Sequence, residues 1–253
     1  MLAANAAVYA IENATTEGKV TVLLLLILSL FSWTIILTKF RQLRLARKAT
    51  NKFLAAYAST RDPLDIKRKG EIFRGAPAFA LYVRGAEEVE YQLKNNPVTV
   101  KGERRISNSS FEAVKVVLEE AAGNQAMVLE KDMIVLSTAV AGGPFIGLLG
   151  TVWGVMSTFA GIAASNSASL TAMAPGVAAA LVATVTGLLV AIPAMFAYNF
   201  MVTSIRQLTQ ELDGFAARFA NQIEHVYVDN RDIEDKIAFA LTRVEMGENT
   251  PAI

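Results

Sequence analysis

Two stretches of the chain are almost unbroken apolar runs, and the segments around them alternate between apolar and charged positions with helical spacing. Val20 to Thr38, VTVLLLLILSLFSWTIILT, is bounded by Lys19 and Lys39. No Asp, Glu, Lys, Arg or His occurs between Asp132 and Arg206, a gap much longer than the ~20 residues one bilayer crossing needs and long enough for two. The pattern predicts three membrane spans. Glu12 and Glu17 precede the first run with no early Lys or Arg, the reverse of the basic start of a cleaved signal peptide, so this run reads as a retained anchor.

Lys39, Arg41, Arg44, Arg47, Lys48 and Lys52 crowd one side of the first span, which by the positive-inside rule puts that side in the cytoplasm and the N-terminus outside. The link ASNSASLTAM between the second and third spans is short, polar and uncharged, and Arg206 and Arg218 follow the third. The predicted layout is 1–19 outside (periplasmic), 20–38 first span, 39–132 cytoplasmic, 133–164 second span, 165–173 outside loop, 174–205 third span, and 206–253 cytoplasmic helix and tail.

The segment from Phe40 to Asp132 is broken by Pro63, Gly70, Pro77 and the run Asn95 to Pro97, and has no strand-like alternation, so short helices are expected. Phe111, Val114, Leu118, Ala121, Gln125 and Val128 mark one face of a helix running into the second span. Ile205, Leu208, Leu212, Phe215, Phe219, Gln222 and Val226 repeat that spacing below the third span, on a stripe that needs a neighbouring helix or its own chain folded back onto it. Residues 246–253, MGENTPAI, read as a disordered tail.

Composition agrees with a membrane protein: 53% of the 253 residues are hydrophobic and the mean hydropathy is +0.37. A net charge of +1 gives nucleic-acid binding no electrostatic support. Absent cysteine removes disulfides, thiolate catalysis and Cys-held metals together. His225, the only histidine, reads as a surface residue of a charged amphipathic helix. The spans hold no nucleophile–base pair, metal-ligand cluster or phosphate loop, and Glu87, Glu88, Glu119 and Glu120 read as solvated helix faces, so neither an enzyme nor a bound cofactor or metal is expected.

The spans carry a finer pattern. Gly143, Gly147, Gly150, Gly154, Ser157 and Gly161 repeat at spacings of 4, 3, 4, 3, 4, a single small-residue stripe that lets helix backbones approach closely in lipid. Gly176, Ala180, Thr184, Gly187, Ala191 and Ala194 form a comparable stripe in the third span, whose helix is expected to start at Pro175. Thr151 and Thr158 lie on the glycine face. Two readings are open: the hydroxyls bond carbonyls of their own helices, or Thr151 and Thr184 line a polar track able to hydrate a cation. Ion-driven chemistry in a membrane normally needs a carboxylate near such a track, and these spans have none, so a partner would have to supply it.

GPFIGLLGTVWGVM at 143–156 and APGVAAALVATVTGLLVAIPAMFAYN at 174–199 resemble the signature blocks of the MotA/TolQ/ExbB proton-channel family, closest to its ExbB and TolQ members, and SWTIILTK at 32–39 resembles the end of that family's first span. The resemblance implies an all-α bacterial inner-membrane protein whose long helices extend into the cytoplasm, forming a homopentameric ring. The ring would surround single-span partners of the ExbD/TolR type whose intramembrane aspartate carries the coupling ion, and would transmit work to a TonB-like or other envelope protein. Thr151 and Thr184 match the family threonines and are the ion-path candidates. Gly147, Gly150, Gly154, Gly176, Ala180 and Gly187 would offer a close contact to the partner helix, with Thr186, about 200° around from Thr184, facing a neighbouring subunit. One position departs: the family block usually reads APGxxEAL, and Ala179 stands where its glutamate would be. This shifts protonation to the partner, leaves protons or sodium as the transported ion, and raises the alternative of a non-conducting scaffold ring. Three spans argue against a flagellar stator, which usually has four.

Overall fold

A computed structural model describes residues 16–100, 102–165 and 170–229. In chain order the elements are α1 (Thr16–Ala58), α2 (Asp65–Arg68), α3 (Pro77–Asn95), β1 (Pro97–Val100), β2 (Glu103–Ile106), α4 (Asn108–Glu130), α5 (Met133–Ser165) and α6 (Leu170–Tyr227). Helices α1, α5 and α6 are long and apolar enough to cross a membrane. The 43 residues of α1 and 58 of α6 rise about 65 and 87 Å at the usual helical pitch, against a hydrocarbon core of ~30 Å, so both extend well beyond it. Most of the expected outer N-terminal segment, the middle of the 165–173 loop and the 246–253 tail lie outside the described residues.

The chain divides into two compact units, the first made of Met1–Leu45 with Met127–Gln207. Its packing is inverted relative to a soluble domain. Ala139, Ala180, Ala183, Ala191 and Ala194 are buried, while Leu30, Phe145, Leu189 and Phe196 are 67–72% exposed. Lipid tails solvate large apolar side chains as well as a protein core does, so nothing drives them inward, and close backbone packing of small residues holds the helices instead. Phe40 of α1 meets Phe200 of α6 with ring centroids 5.8 Å apart.

Two expectations are corrected in this unit. Helix α4 does not run into the second span: it ends at Glu130, Asp132 takes φ 65°, and α5 begins at Met133. Aspartate is among the few residues other than glycine that enter this left-handed region. The buried Lys39 amine donates to the Leu129 carbonyl at 3.2 Å, pairing one of the carbonyls that a helix end leaves open. Pro175 does not start its helix either, since α6 begins at Leu170 and encloses it. Without an N–H, Pro175 forgoes one hydrogen bond to the carbonyl four residues back, and the helix-forming turn before it continues regardless.

The second unit, Ala46–Ala126 with Leu208–Ile253, is built around aromatic rings. Phe53 lies 5.3 Å from Phe215, Tyr57 lies 5.1 Å from Phe215, and Tyr82 lies 5.1 Å from Phe219, centroid to centroid. The apolar stripe below the third span is thus met by its own chain: Leu208, Leu212, Phe215 and Phe219 are buried. Gln222 and Val226 are exposed, and the buried line moves to Ile223 and Tyr227, because a 3.6-residue turn drifts off a strict seven-residue repeat. The Tyr57 hydroxyl nevertheless donates to the Gln222 side chain. On α4 the stripe is likewise buried from Phe111 through Ala121, but Leu129 replaces the exposed Val128.

The expectation of helices alone in the 39–132 segment is corrected by a hairpin, β1 pairing antiparallel with β2 from Pro97 against Ile106 to Val100 against Glu103. Only Val100 and Ile106 are buried in these four-residue strands, too few inward positions to write an alternation into the sequence. Gly102 supplies the positive φ of 85° at the turn. Beyond α6, Val228 bridges to Ile106 and the Asp229 N–H donates to the Ile106 carbonyl at 3.0 Å.

Candidate functional site

In the membrane unit the backbones of α5 and α6 come together in an antiparallel seam. A Cβ added to Gly187 would lie 2.5 Å from the Gly143 carbonyl oxygen, one on Gly154 would lie 2.7 Å from the Ala180 Cβ, and one on Gly147 would lie 3.0 Å from both the Ala183 oxygen and the Thr184 Cα. At Gly176 an added carbon would collide with the Thr158 hydroxyl. The two small-residue stripes therefore meet each other. A Cβ on Gly161, by contrast, meets nothing within 4 Å, so the contact face covers only part of the stripe.

Gly147, Gly150, Gly154, Gly176, Ala180 and Gly187, expected to pack against a partner helix, all lie in this seam. Within the chain Gly150 faces Ala183 and the Thr21 hydroxyl of α1. The sequence reading overlooked Thr21, which is fully buried and donates to the Gly18 carbonyl at 2.8 Å. The signal was present: Thr21, Leu25 and Ser32, spaced by four and seven, are the buried face of the first apolar run.

The structure brings Thr151 and Thr184 together. The Thr184 hydroxyl lies 3.3 Å from the Thr151 oxygen and 3.1 Å from the Gly147 carbonyl oxygen, while Thr151 donates to the Leu148 carbonyl at 2.6 Å. Thr151 thus bonds its own helix, and Thr184 reaches across to the other. Thr158, about two turns from Thr151, donates to the Gly154 carbonyl at 2.8 Å, and Thr186 donates within its helix to Val182 at 2.8 Å. The seam is a line of hydroxyl and carbonyl oxygens with no ionisable side chain on α5 or on the apolar part of α6. Such oxygens can accept hydrogen bonds or lie against a cation, but cannot carry a proton as a carboxylate does. Ala179 is buried beside Ala180.

The second unit holds a polar cluster not anticipated from sequence, since its members are far apart in the chain. Asp62 accepts from the Leu64 N–H at 2.9 Å, from the Tyr227 hydroxyl at 2.8 Å and from Arg68 at 2.5 Å. Burial raises the Asp62 carboxyl, but these donors and the Arg68 charge outweigh it and hold the group below its ordinary pKa. Burial pushes the Tyr82 hydroxyl up to about 12, and that oxygen accepts from the Lys67 N–H at 3.1 Å. His225, Glu87, Glu119 and Glu120 are exposed. Among the described residues no group of three His, Asp or Glu is placed to hold a metal ion.

Residues 89–214 match the MotA/TolQ/ExbB proton channel family. The Tol-Pal system protein TolQ of Pseudomonas aeruginosa is 30% identical over 216 residues, covering 83% of this chain and 88% of TolQ. The biopolymer transport protein ExbB of Xanthomonas campestris is 34% identical over 186 residues, covering 73% of this chain and 72% of ExbB. The ExbB of Neisseria meningitidis is 32% identical over 195 residues, covering 76% and 86%. The two ExbB relatives are named as biopolymer transport proteins, and the family is described as one of proton channels. With three apolar helices and a hydroxyl-lined seam between two of them, this chain belongs to the MotA/TolQ/ExbB proton channel family.

Proposed function

We propose that the chain is an ion-channel-forming subunit of a motor in the bacterial inner membrane, driven by the ion motive force. On this reading it assembles as a pentamer around an ExbD/TolR-like single-span partner and passes work to a TonB-like or other envelope protein. Its N-terminus is periplasmic and its C-terminus cytoplasmic. The observation that carries the reading is the 3.3 Å approach of the Thr151 and Thr184 hydroxyls in a seam without an acid of its own. The partner's aspartate binds and releases the proton or sodium ion, and the threonine oxygens wall its path. One charge crossing 100 mV supplies about 2.3 kcal/mol, enough to bias a rotation step by roughly 50-fold.

The test is ion flux into proteoliposomes holding the chain and its partner. Replacing Thr151 and Thr184 together by Val is expected to cut flux at least ~10-fold while the complex still purifies intact, and Ser at both positions, which restores the hydroxyls, is expected to recover most of it. Undiminished flux through the Val variant overturns the ion-path assignment. A second reading, a non-conducting scaffold ring, is favoured by Ala179, a buried alanine at the family's usual glutamate position. An intact wild-type complex that passes no ion under any imposed gradient would select it.

A further inference from the structure

Six basic residues and no acidic one lie on α1 between Lys39 and its end at Ala58. Their fates differ. Lys39 turns inward, buried, onto the Leu129 carbonyl. Arg41, Arg44, Arg47, Lys48 and Lys52 are exposed, and none of them makes an ion pair among the described residues. At about 100° per residue, Arg41, Arg44, Lys48 and Lys52 fall within an arc of roughly 80°, a single stripe along the helix.

The stripe begins where the apolar run ends. Leu37 is 65% exposed, as a lipid-facing side chain is. With the hydrocarbon boundary at Lys39, a rise of 1.5 Å per residue puts the Arg41 backbone about 3 Å and the Arg44 backbone about 7.5 Å beyond it. The headgroup layer is itself about 5–7.5 Å thick, so both arginines sit inside it, while Lys48, about 13.5 Å out, acts only through the screened field. Arg44 is also held in place: its guanidinium carbon lies 3.9 Å from the centre of the Phe40 ring, which rests against Phe200. That stacking takes up a face of the guanidinium and leaves its edge N–H donors free for phosphate oxygens.

We infer that Arg41 and Arg44 form a binding site for the phosphate of an anionic phospholipid, with the acyl chains lying on the exposed apolar surface of α1. The site needs only that α1 be a membrane span; it is independent of the orientation and of the ion path proposed above, so its test does not involve ion flux.

The full-length chain, purified in detergent, would be titrated with phosphatidylglycerol, phosphatidylcholine or inorganic phosphate and its bound lipid counted by native mass spectrometry. The wild type is expected to hold phosphatidylglycerol about 30-fold more tightly than phosphatidylcholine at low salt and to lose most of that preference near 0.5 M salt, where the Debye length falls to roughly 4 Å. At about fivefold per basic residue near an anionic surface, Arg41→Gln with Arg44→Gln should weaken phosphatidylglycerol roughly 30-fold and leave phosphatidylcholine unchanged. Arg41→Lys with Arg44→Lys should keep most of the preference, and Arg74→Gln with Arg84→Gln, both at exposed positions elsewhere, all of it. Equal binding of the two lipids by the wild type, an unchanged preference in the double Gln variant, or displacement of the lipid by millimolar inorganic phosphate would each overturn the lipid site. If the Gln variant fails to fold, the salt titration and the Lys variant decide.

Discussion

Gly154 shows how much a single hydrogen in place of a methyl decides in this protein. A Cβ there would lie 2.7 Å from the Ala180 Cβ and 3.2 Å from the Ala180 Cα, and a backbone atom has no rotamer by which to yield. Gly154→Leu is expected to force the α5–α6 seam apart and cost about 1–3 kcal/mol or more, as overpacking does. The reading is a lower melting temperature of the purified protein in detergent. Gly161→Leu, on the same stripe but with nothing within 4 Å, should leave the melt unchanged or raise it slightly, since leucine is the better helix former; equal losses at the two sites would show that the seam does not set the effect. The same approach makes the threonine pair possible, because Thr184 can reach the Gly147 carbonyl of the other helix only where no side chain intervenes.

Among the elements, the far end of α6 is tied to the turn before α2 by one carboxylate. Asp62 receives the Tyr227 hydroxyl and pairs with Arg68, whose second amine donates to the same Tyr227 oxygen at 2.9 Å. Because the Asp62 pKa is depressed in the folded chain, its contribution is fully present above the ordinary carboxylate value of ~3.9 and is lost as pH falls through the lower folded value. Asp62→Asn is therefore expected to melt lower than the wild type by a constant margin from pH 7 down to about pH 4, with the margin closing below that. A margin that stays constant into stronger acid would mean that the amide substitution acts through shape alone. The fully buried Phe53, ringed by Phe73, Phe79, Tyr82 and Phe215, explains why α6 can remain a helix far beyond the membrane: its apolar stripe has a partner in its own chain.

For the whole molecule, the proposed orientation has a direct test, because the chain contains no cysteine and any introduced thiol is the only one. With the N-terminus outside, Lys69→Cys, at an exposed position after α2, is expected to react with a membrane-impermeant maleimide only after the cells are opened. Ala164→Cys, exposed near the end of α5, should react in intact cells. The reverse pattern would invert the topology and move the basic residues of α1 to the outer face. The two units also answer to different solvents. The first exposes leucine and phenylalanine and buries alanine, while the second buries its rings, and a detergent or lipid change should act on the first before the second.

Much of this was legible in one dimension. The absence of charge from Asp132 to Arg206 and the run from Val20 to Thr38 determined three spans, because unpaired charge in hydrocarbon is costly enough to be excluded. Glycine spacing determined which faces could pack closely, and the signature blocks carried the family. Four features were decided only in three dimensions. The glycine faces meet within the chain, since a stripe says that a close contact exists and not with what. The α6 stripe is covered by Phe53, Tyr57 and Tyr82, from segments more than 130 residues earlier in the sequence. A short polar hairpin stands where alternation was too brief to read. The Asp62, Arg68 and Tyr227 cluster joins residues that no local pattern links. Periodicity records what each element wants to bury; which neighbour buries it is a long-range choice, made when the whole chain packs.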